Sequence, residues 1–113
     1  MAIATIISSG SMAGDLQSNS VKLDGVDGFG IHARWSAGST PSGNLKLQAS
    51  NDDSNWVEVA SSTAAVSGNS GSALYNKTDQ FYKYVRMVYE RTSGDGTLDA
   101  DVNTVSFLEN LGR

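Results

Sequence analysis

The sequence predicts an all-β fold: a single-domain, antiparallel, jelly-roll-like β-sandwich of about seven to eight strands. Three observations predict it. Short segments with alternating apolar and polar residues recur roughly every ten residues. Stretches rich in Gly, Ser, Asn and Asp separate these segments, and such residues favour turns. No long segment shows the periodicity of an amphipathic helix.

Length and composition indicate one domain held by a hydrophobic core. A chain of 113 residues is near the commonest domain size, and it buries roughly two-thirds of the surface that it exposes when unfolded. It contains no cysteine, so neither disulfides nor thiol chemistry are available. We therefore expect a fold that depends on no metal and no cofactor.

Charge and hydropathy argue against nucleic acid and membranes as partners. The net charge is −4, and none of the eight Lys and Arg residues adjoins another, whereas nucleic-acid-binding surfaces need clustered cations. No basic residue precedes Lys22, so the N-terminus lacks the basic start of a signal peptide. No stretch approaches the roughly 20 apolar residues of a membrane span. We expect a soluble protein made without a cleaved secretion signal.

Three strands are predicted in the first third of the chain. Residues 2–8 are β-prone and carry isoleucine on both faces, so this strand is expected to be covered on two sides. A second short strand covers residues 20–24. Residues 28–36 show the clearest alternation. The residues expected to face the core are Val21, Leu23, Phe29, Ile31, Ala33 and Trp35.

A β-hairpin is predicted over residues 45–59, after a loop at 37–43 that holds the single proline. Apolar and polar residues alternate in its first strand, which places one face toward a core and the other toward water. Residues 50–55 then supply turn-forming side chains. The expected core anchors of this hairpin are Leu45, Leu47 and Trp56.

Further strands are predicted in the second half of the chain. Residues 64–66 and 73–75 are short extended segments, and residues 82–90 form a strong central strand. Residues 93–96 contain Asp-Gly, a strong signal for a hairpin turn, and residues 97–103 return from it. The expected inward residues are Val85, Met87, Tyr89, Leu98, Ala100 and Val102, of which Val85, Met87 and Leu98 are core anchors.

Apolar residues occur at both ends of the chain. We divide it into an N-terminal strand or arm (1–19), a β-sandwich core (20–104) and a C-terminal tail (105–113). Residues 106–109 fit the capping box S-x-x-E and predict a short helical turn. The apolar end residues either contact other subunits or fold back to complete the sandwich. These candidates for subunit contacts are Ile3, Ile6, Ile7, Phe107, Leu108 and Leu111.

The sequence offers no catalytic set. The only histidine, His32, lies on the polar face of its strand, and neither a G-x-S-x-G motif nor a phosphate-binding glycine motif occurs. Asp52 and Asp53 are expected in the hairpin turn, where their role is turn formation. Asp99 and Asp101 are expected on a solvent-facing strand. We therefore predict a protein that is not an enzyme.

Two of the predicted strand regions resemble known families. Residues 47–59 (LQASNDDSNWVEV) and 82–89 (YKYVRMVY), followed by G-T-L-D-A at 96–100, resemble a pattern frequent in small structural proteins of tailed bacteriophages. Their S-N-D-x-x-x-W and Y-V-R segments are also similar to discoidin-type (coagulation factor 5/8 type C) sandwiches. This chain is shorter than a complete discoidin domain and lacks its terminal cysteines. The resemblance covers about residues 20–103.

The phage resemblance implies a virion component, such as a capsid decoration or cement protein, or a neck or tail accessory. The expected partners are the major capsid protein or other virion proteins, together with further copies of the chain in a homo-oligomer. The expected location is the virion, assembled in the host cytoplasm.

Two other functions remain open. The discoidin-like signature favours a carbohydrate-binding or adhesion module of a phage tail or bacterial surface protein, with a glycan as ligand. Residues 24–28 have some features of a calcium loop, although they lack the ligand number of about six to eight oxygens. A carbohydrate-binding surface would need exposed aromatic rings, whereas Trp35 and Trp56 are expected in the core. The remaining rings considered are Tyr75, Tyr82, Tyr84 and Tyr89.

Overall fold

The computed structural model describes residues 2–23, 28–78 and 83–105 and contains eight β-strands there. The predicted all-β antiparallel fold is confirmed. The predicted helical turn at 106–109 lies outside the described residues, as does most of the calcium-like segment 24–28. The strands are β1 (Ala2–Ser11), β2 (Leu16–Gln17), β3 (Val21–Lys22), β4 (Gly28–Ser50), β5 (Val57–Glu58), β6 (Ala64–Val66), β7 (Gly71–Thr78) and β8 (Tyr84–Val105).

The sheet is built around β4 and β8, which pair with each other from end to end. The antiparallel register runs from Gly28 opposite Val105 to Ser50 opposite Tyr84. A straight strand of the 23 residues of β4 would span about 75 Å. Because the longest dimension of the molecule is 47 Å, the two long strands must bend.

The bends divide the sheet into two layers. The first layer contains residues 28–36 of β4 and 97–105 of β8, flanked by β1 and β7. The second layer contains residues 43–50 of β4 and 84–91 of β8, flanked by the four short strands. Inward side chains of both layers form one buried cluster, so the curled sheet is a β-sandwich.

The predicted loop at 37–43 and the predicted hairpin turn at 93–96 are wrong. Both segments belong to continuous strands, with Ser39 opposite Asp95 and Ser42 opposite Ser93. Three register shifts occur between Ser36 and Gly43, and such bulges bend and twist a strand without ending it. The Asp-Gly turn fails to form because residues 84–91 and 97–103 each pair with β4 instead of with each other.

The expected core residues lie in the buried cluster, except Val21, which is partly buried against it, and Trp56. Trp56 is only half-buried and does not belong to the cluster, so its prediction as a core anchor is wrong. It precedes the two-residue strand β5 at the margin of the second layer, where too little sheet remains to cover an indole ring. The buried anchors are Phe29, Ile31, Trp35, Leu45, Leu47, Val85, Met87 and Leu98.

Ile6 and Ile7 fold back into the sandwich. A register shift between Thr5 and Ile7 in the β1–β8 ladder lets these consecutive side chains both reach the buried cluster. Their surface is therefore used within the chain and is not free for a neighbouring subunit. The side chain of Ile3 and the residues Phe107, Leu108 and Leu111 lie outside what the structure describes.

Ser62, in the segment between β5 and β6, is hydrogen-bonded to β4. Its buried Oγ accepts a hydrogen bond from the Leu47 N–H (3.1 Å) and donates one to the Val59 carbonyl (2.7 Å). We expect Ser62→Ala to lower the free energy of unfolding by about 1–2 kcal/mol, because it leaves a buried N–H without this partner. Urea denaturation measures the loss. The neighbouring exposed Ser61→Ala is the control, and an equal effect of both substitutions would contradict the explanation.

Candidate functional site

The outward side of the second layer brings indole, amide, cationic and carboxylate side chains into contact. Cross-strand pairs place its residues side by side: Gln48 lies opposite both Glu58 and Arg86, and Val88 lies opposite both Lys46 and Gln17. We call this surface the Trp56 face. Its residues are Gln17, Lys46, Gln48, Trp56, Glu58, Arg86, Val88 and Glu90.

Trp56 and Arg86 form the centre of the Trp56 face. The guanidinium carbon of Arg86 lies 4.1 Å from the centroid of the Trp56 ring, within cation–π distance. The Arg86 Nε donates a hydrogen bond of 2.8 Å to Gln48 Oε1. The guanidinium is therefore held between an indole face and an amide. Its planar array retains further N–H donors for a ligand.

A charged cluster lies beside this centre. Lys46 Nζ is 2.7 Å from a Glu90 carboxylate oxygen and 3.1 Å from a Glu58 carboxylate oxygen. The hydrogen bond to Glu90, followed by that to Glu58, raises the pKa of Lys46 above its usual value. These contacts orient two exposed carboxylates across β8, β4 and β5. The Trp56 face thus presents acceptors next to the donors of Arg86.

A shallow cleft of about 360 Å³ opens on the same face between β2 and β8. Val88 supplies an apolar wall, while Gln17, Gln48 and Arg86 supply amide and guanidinium groups. Such a cleft can bind planar or hydroxyl-rich polar groups by several hydrogen bonds. The residues lining it are Asp15, Leu16, Gln17, Gln48, Arg86, Val88, Tyr89 and Glu90.

The carboxylate of Asp52 is fully engaged in hydrogen bonds within the hairpin turn. Its carboxylate accepts hydrogen bonds from the backbone N–H groups of Ser54 (3.0 Å) and Asn55 (2.8 Å), and from the side chains of Ser50 and Asn55. These bonds, led by the backbone N–H of Asn55, hold the pKa of Asp52 below its usual range. Asp52 therefore forms the turn, as the sequence predicts.

The lowered pKa of Asp52 makes one contribution to stability depend on pH. The ionised carboxylate is favoured in the folded state, so its contribution is complete above the ordinary value of 3.8 and is lost as the pH falls below it. We expect Asp52→Asn to lower the melting temperature at pH 7 and to have a smaller effect at pH 3. Asp53→Asn is the control. An effect of Asp52→Asn that does not change with pH would contradict this account.

The other acidic candidates and His32 lie on the first layer. His32 Nδ1 is 3.2 Å from Arg34 Nη1, and the same Arg34 atom is 3.2 Å from an Asp101 carboxylate oxygen. Asp99 accepts a hydrogen bond from the backbone N–H of Ser9 (2.8 Å). Within residues 2–23, 28–78 and 83–105, no three His, Cys, Asp or Glu side chains converge as metal ligands. That part of the chain also holds no helix long and apolar enough to span a membrane.

Two of the tyrosines that could form a carbohydrate-binding surface, Tyr75 and Tyr89, contribute to the core instead. Tyr75 donates a hydrogen bond to the Leu45 carbonyl (3.2 Å) in the other layer, and burial raises the pKa of Tyr75 to about 12. Tyr89 is fully buried. Tyr84 is half-buried, and Tyr82 lies outside the described residues. Trp56, which is also half-buried, is the aromatic residue that contacts Arg86 on the Trp56 face.

Comparison with known proteins identifies the fold and leaves the family open. No family model and no curated protein matches the sequence. The fold is similar to the crystal structure of YomS, a protein derived from the SPBc2 prophage, with a TM-score of 0.59 and 11% identity over 89% of this chain and 90% of that one. It is also similar to a CBM4 structure, with a TM-score of 0.50 and 18% identity over 79% of this chain and 61% of that one. At these identities the likeness shows a shared β-sandwich.

Proposed function

We propose that this chain is a non-enzymatic structural protein of a bacteriophage particle, which binds the major capsid protein or another virion protein and acts as a homo-oligomer. The observation that carries the proposal is the likeness to a prophage-derived protein over about nine-tenths of both chains. The phage-like pattern at 47–59 and 82–89 supports it independently. The first segment spans the β4–β5 hairpin and carries Trp56, and residues 84–89 of the second begin β8 and carry Arg86.

The Trp56 face is the attachment surface in this proposal. Trp and Arg are the residue types that most often dominate the binding energy of protein interfaces. Here Arg86 is already oriented by Trp56 and Gln48, so less side-chain freedom is lost on binding. Lys46 and its two glutamates supply a polar rim around this centre.

Co-sedimentation of the purified chain with capsids that lack it tests the proposal. We expect saturable binding, and a loss of affinity of at least about tenfold on Trp56→Ala or Arg86→Ala, the size typical of interface hot spots. Arg34→Ala is the matched control, because the Arg34 guanidinium is also held by a neighbouring side chain, Asp101, but lies on the first layer. No binding to capsids, necks or tails would overturn the proposed function. Equal binding by all variants would overturn the assignment of the Trp56 face.

Carbohydrate binding is a second candidate function, which the cleft beside Arg86 favours. The cleft has amide and guanidinium groups, and the indole ring of Trp56 packs against its Arg86; these are the groups that hydrogen-bond and stack on sugars. Titration of bacterial surface glycans followed by Trp fluorescence tests it. Gln17→Ala and Gln48→Ala should weaken glycan binding at least about fivefold. An unchanged signal with every glycan would exclude this function and leave the protein-binding proposal unaffected.

A further inference from the structure

The outer edge of β7 is a regular strand edge that no described residue covers. β7 pairs with β4 through eight consecutive residue pairs, from Gly71 opposite Trp35 to Thr78 opposite Gly28, without a register shift. Within the described ranges its other edge pairs with no strand. That edge presents backbone N–H and C=O groups that a further strand can use as a template.

The other strands at the margins of the sheet lack this property. β1 carries two register shifts, and Ser9 within it has a φ of 49°, so its edge is bulged. β2, β3 and β5 contain two residues each and β6 contains three, which is too short for a stable ladder. Bulges and short length are the features by which proteins protect sheet edges from pairing. Only β7, among the described strands, is long and unbulged at its edge.

The side chains of β7 suit pairing with a copy of itself. Its outward residues are Ser72, Leu74 and Asn76, all exposed and uncharged. The one charged residue of β7, Lys77, lies opposite Gly71 and not opposite a second Lys77 when two strands pair about Leu74. Leu74 is 66% exposed. With Val57, it is one of two exposed large apolar side chains in the described chain, and a neighbouring strand would remove it from water.

We infer that two copies of the chain pair antiparallel along β7, about a twofold axis at Leu74. In this register Leu74 lies opposite Leu74 of the second copy, and Ser72 lies opposite its Asn76. Such a contact is self-complementary, as a twofold interface requires. The first layers of both sandwiches then form one continuous sheet. The inference rests on the proposed oligomeric role, for which it names the contact surface.

Introduced cysteines test this register directly, because the chain has none of its own. Residues directly opposite in an antiparallel pair have Cα atoms about 4.5–5.5 Å apart, within disulfide range. We expect the Leu74→Cys variant of the full chain, under mild oxidation, to cross-link at least about tenfold faster than Val57→Cys, because its thiols are held together. Val57 is a matched control, since it is 72% exposed but belongs to β5. Equal rates for both variants would overturn the register.

The solution mass tests the association itself. The wild-type chain should sediment as a dimer, Leu74→Lys should shift toward monomer with at least about tenfold weaker association, and Val57→Lys should remain a dimer. A monomeric wild type, or a fully dimeric Leu74→Lys, would overturn the inference. A monomer that still binds capsids contradicts the oligomeric part of the proposed function and leaves its capsid attachment intact, whereas a dimer that never binds particles contradicts the attachment and leaves the β7 contact standing.

Discussion

Replacing Tyr89 by alanine is expected to lower the free energy of unfolding by about 3–5 kcal/mol, the usual cost of removing a buried aromatic ring. Tyr89 is the largest fully buried side chain in the described structure. It lies in the second layer opposite Leu45, next to the bend, and its hydroxyl donates a hydrogen bond of 3.2 Å to the Ser42 carbonyl. Since domains of this size are stable by about 5–15 kcal/mol, the variant is expected to be near the limit of folding.

Tyr89→Phe distinguishes the contribution of the ring to stability from that of the hydroxyl. It keeps the packing and removes one hydrogen bond, so we expect a loss of about 1 kcal/mol. Urea or thermal unfolding followed by circular dichroism measures both variants. If Tyr89→Phe cost as much as Tyr89→Ala, the hydrogen bond to Ser42 would dominate and the packing explanation would be wrong. If neither variant lost stability, the burial of the ring next to the bend would be contradicted.

The faces of the strands could be predicted from sequence because burial follows the period of two. Phe29, Ile31 and Trp35 alternate with polar residues, and all three lie in the core. Ile6 and Ile7 show the limit of that rule. They are adjacent, so simple alternation puts one of them outside, and only the register shift in β1 buries both. A bulge of that kind depends on the partner strand, which a local pattern does not reveal.

The candidate site was less predictable than the core. The size of the Trp56 ring predicts a core position, because large rings are usually buried, yet the sheet ends beside it at the two-residue strand β5. Its contact with Arg86 depends on β8 lying next to β4, across 30 residues of sequence. The signal present in the sequence is that Arg86 shares a strand face with Tyr84 and Val88, so neither face of this strand is purely polar. Alternation alone does not say which polar face carries a site.

The sequence predicts turns where the strands bend for a related reason. Gly and Asp at 93–96 supply the same backbone freedom to a hairpin and to a bulge in a continuous strand. What decides between them is whether the flanking segments pair with each other or with a third strand. Here β4 is long enough to pair with both segments, so the chain bends once in each long strand and the sandwich closes. Gly94 lies in this bend with a positive φ, so we expect substitution there to lower the stability of the fold.

Gly94→Ala is expected to lower the free energy of unfolding by about 3 kcal/mol, because two costs combine there. Gly94 has a φ of 72°, which disfavours any residue with a Cβ. A Cβ at this position would also collide with the backbone carbonyl of Thr40 on β4, a group that cannot move without disturbing the bend. Thermal unfolding measured with the wild type and the variant side by side gives the difference.

Gly68→Ala is the matched control for Gly94→Ala. Gly68 has a similar φ of 80°, but no atom lies within 4 Å of the position that its Cβ would take. Its substitution therefore bears only the backbone cost, about 1 kcal/mol. The excess loss in Gly94→Ala then measures how closely β4 and β8 approach at the bend. Equal losses at the two glycines would mean that the strands separate there, and the continuous pairing of β4 with β8 through residues 91–97 would be wrong.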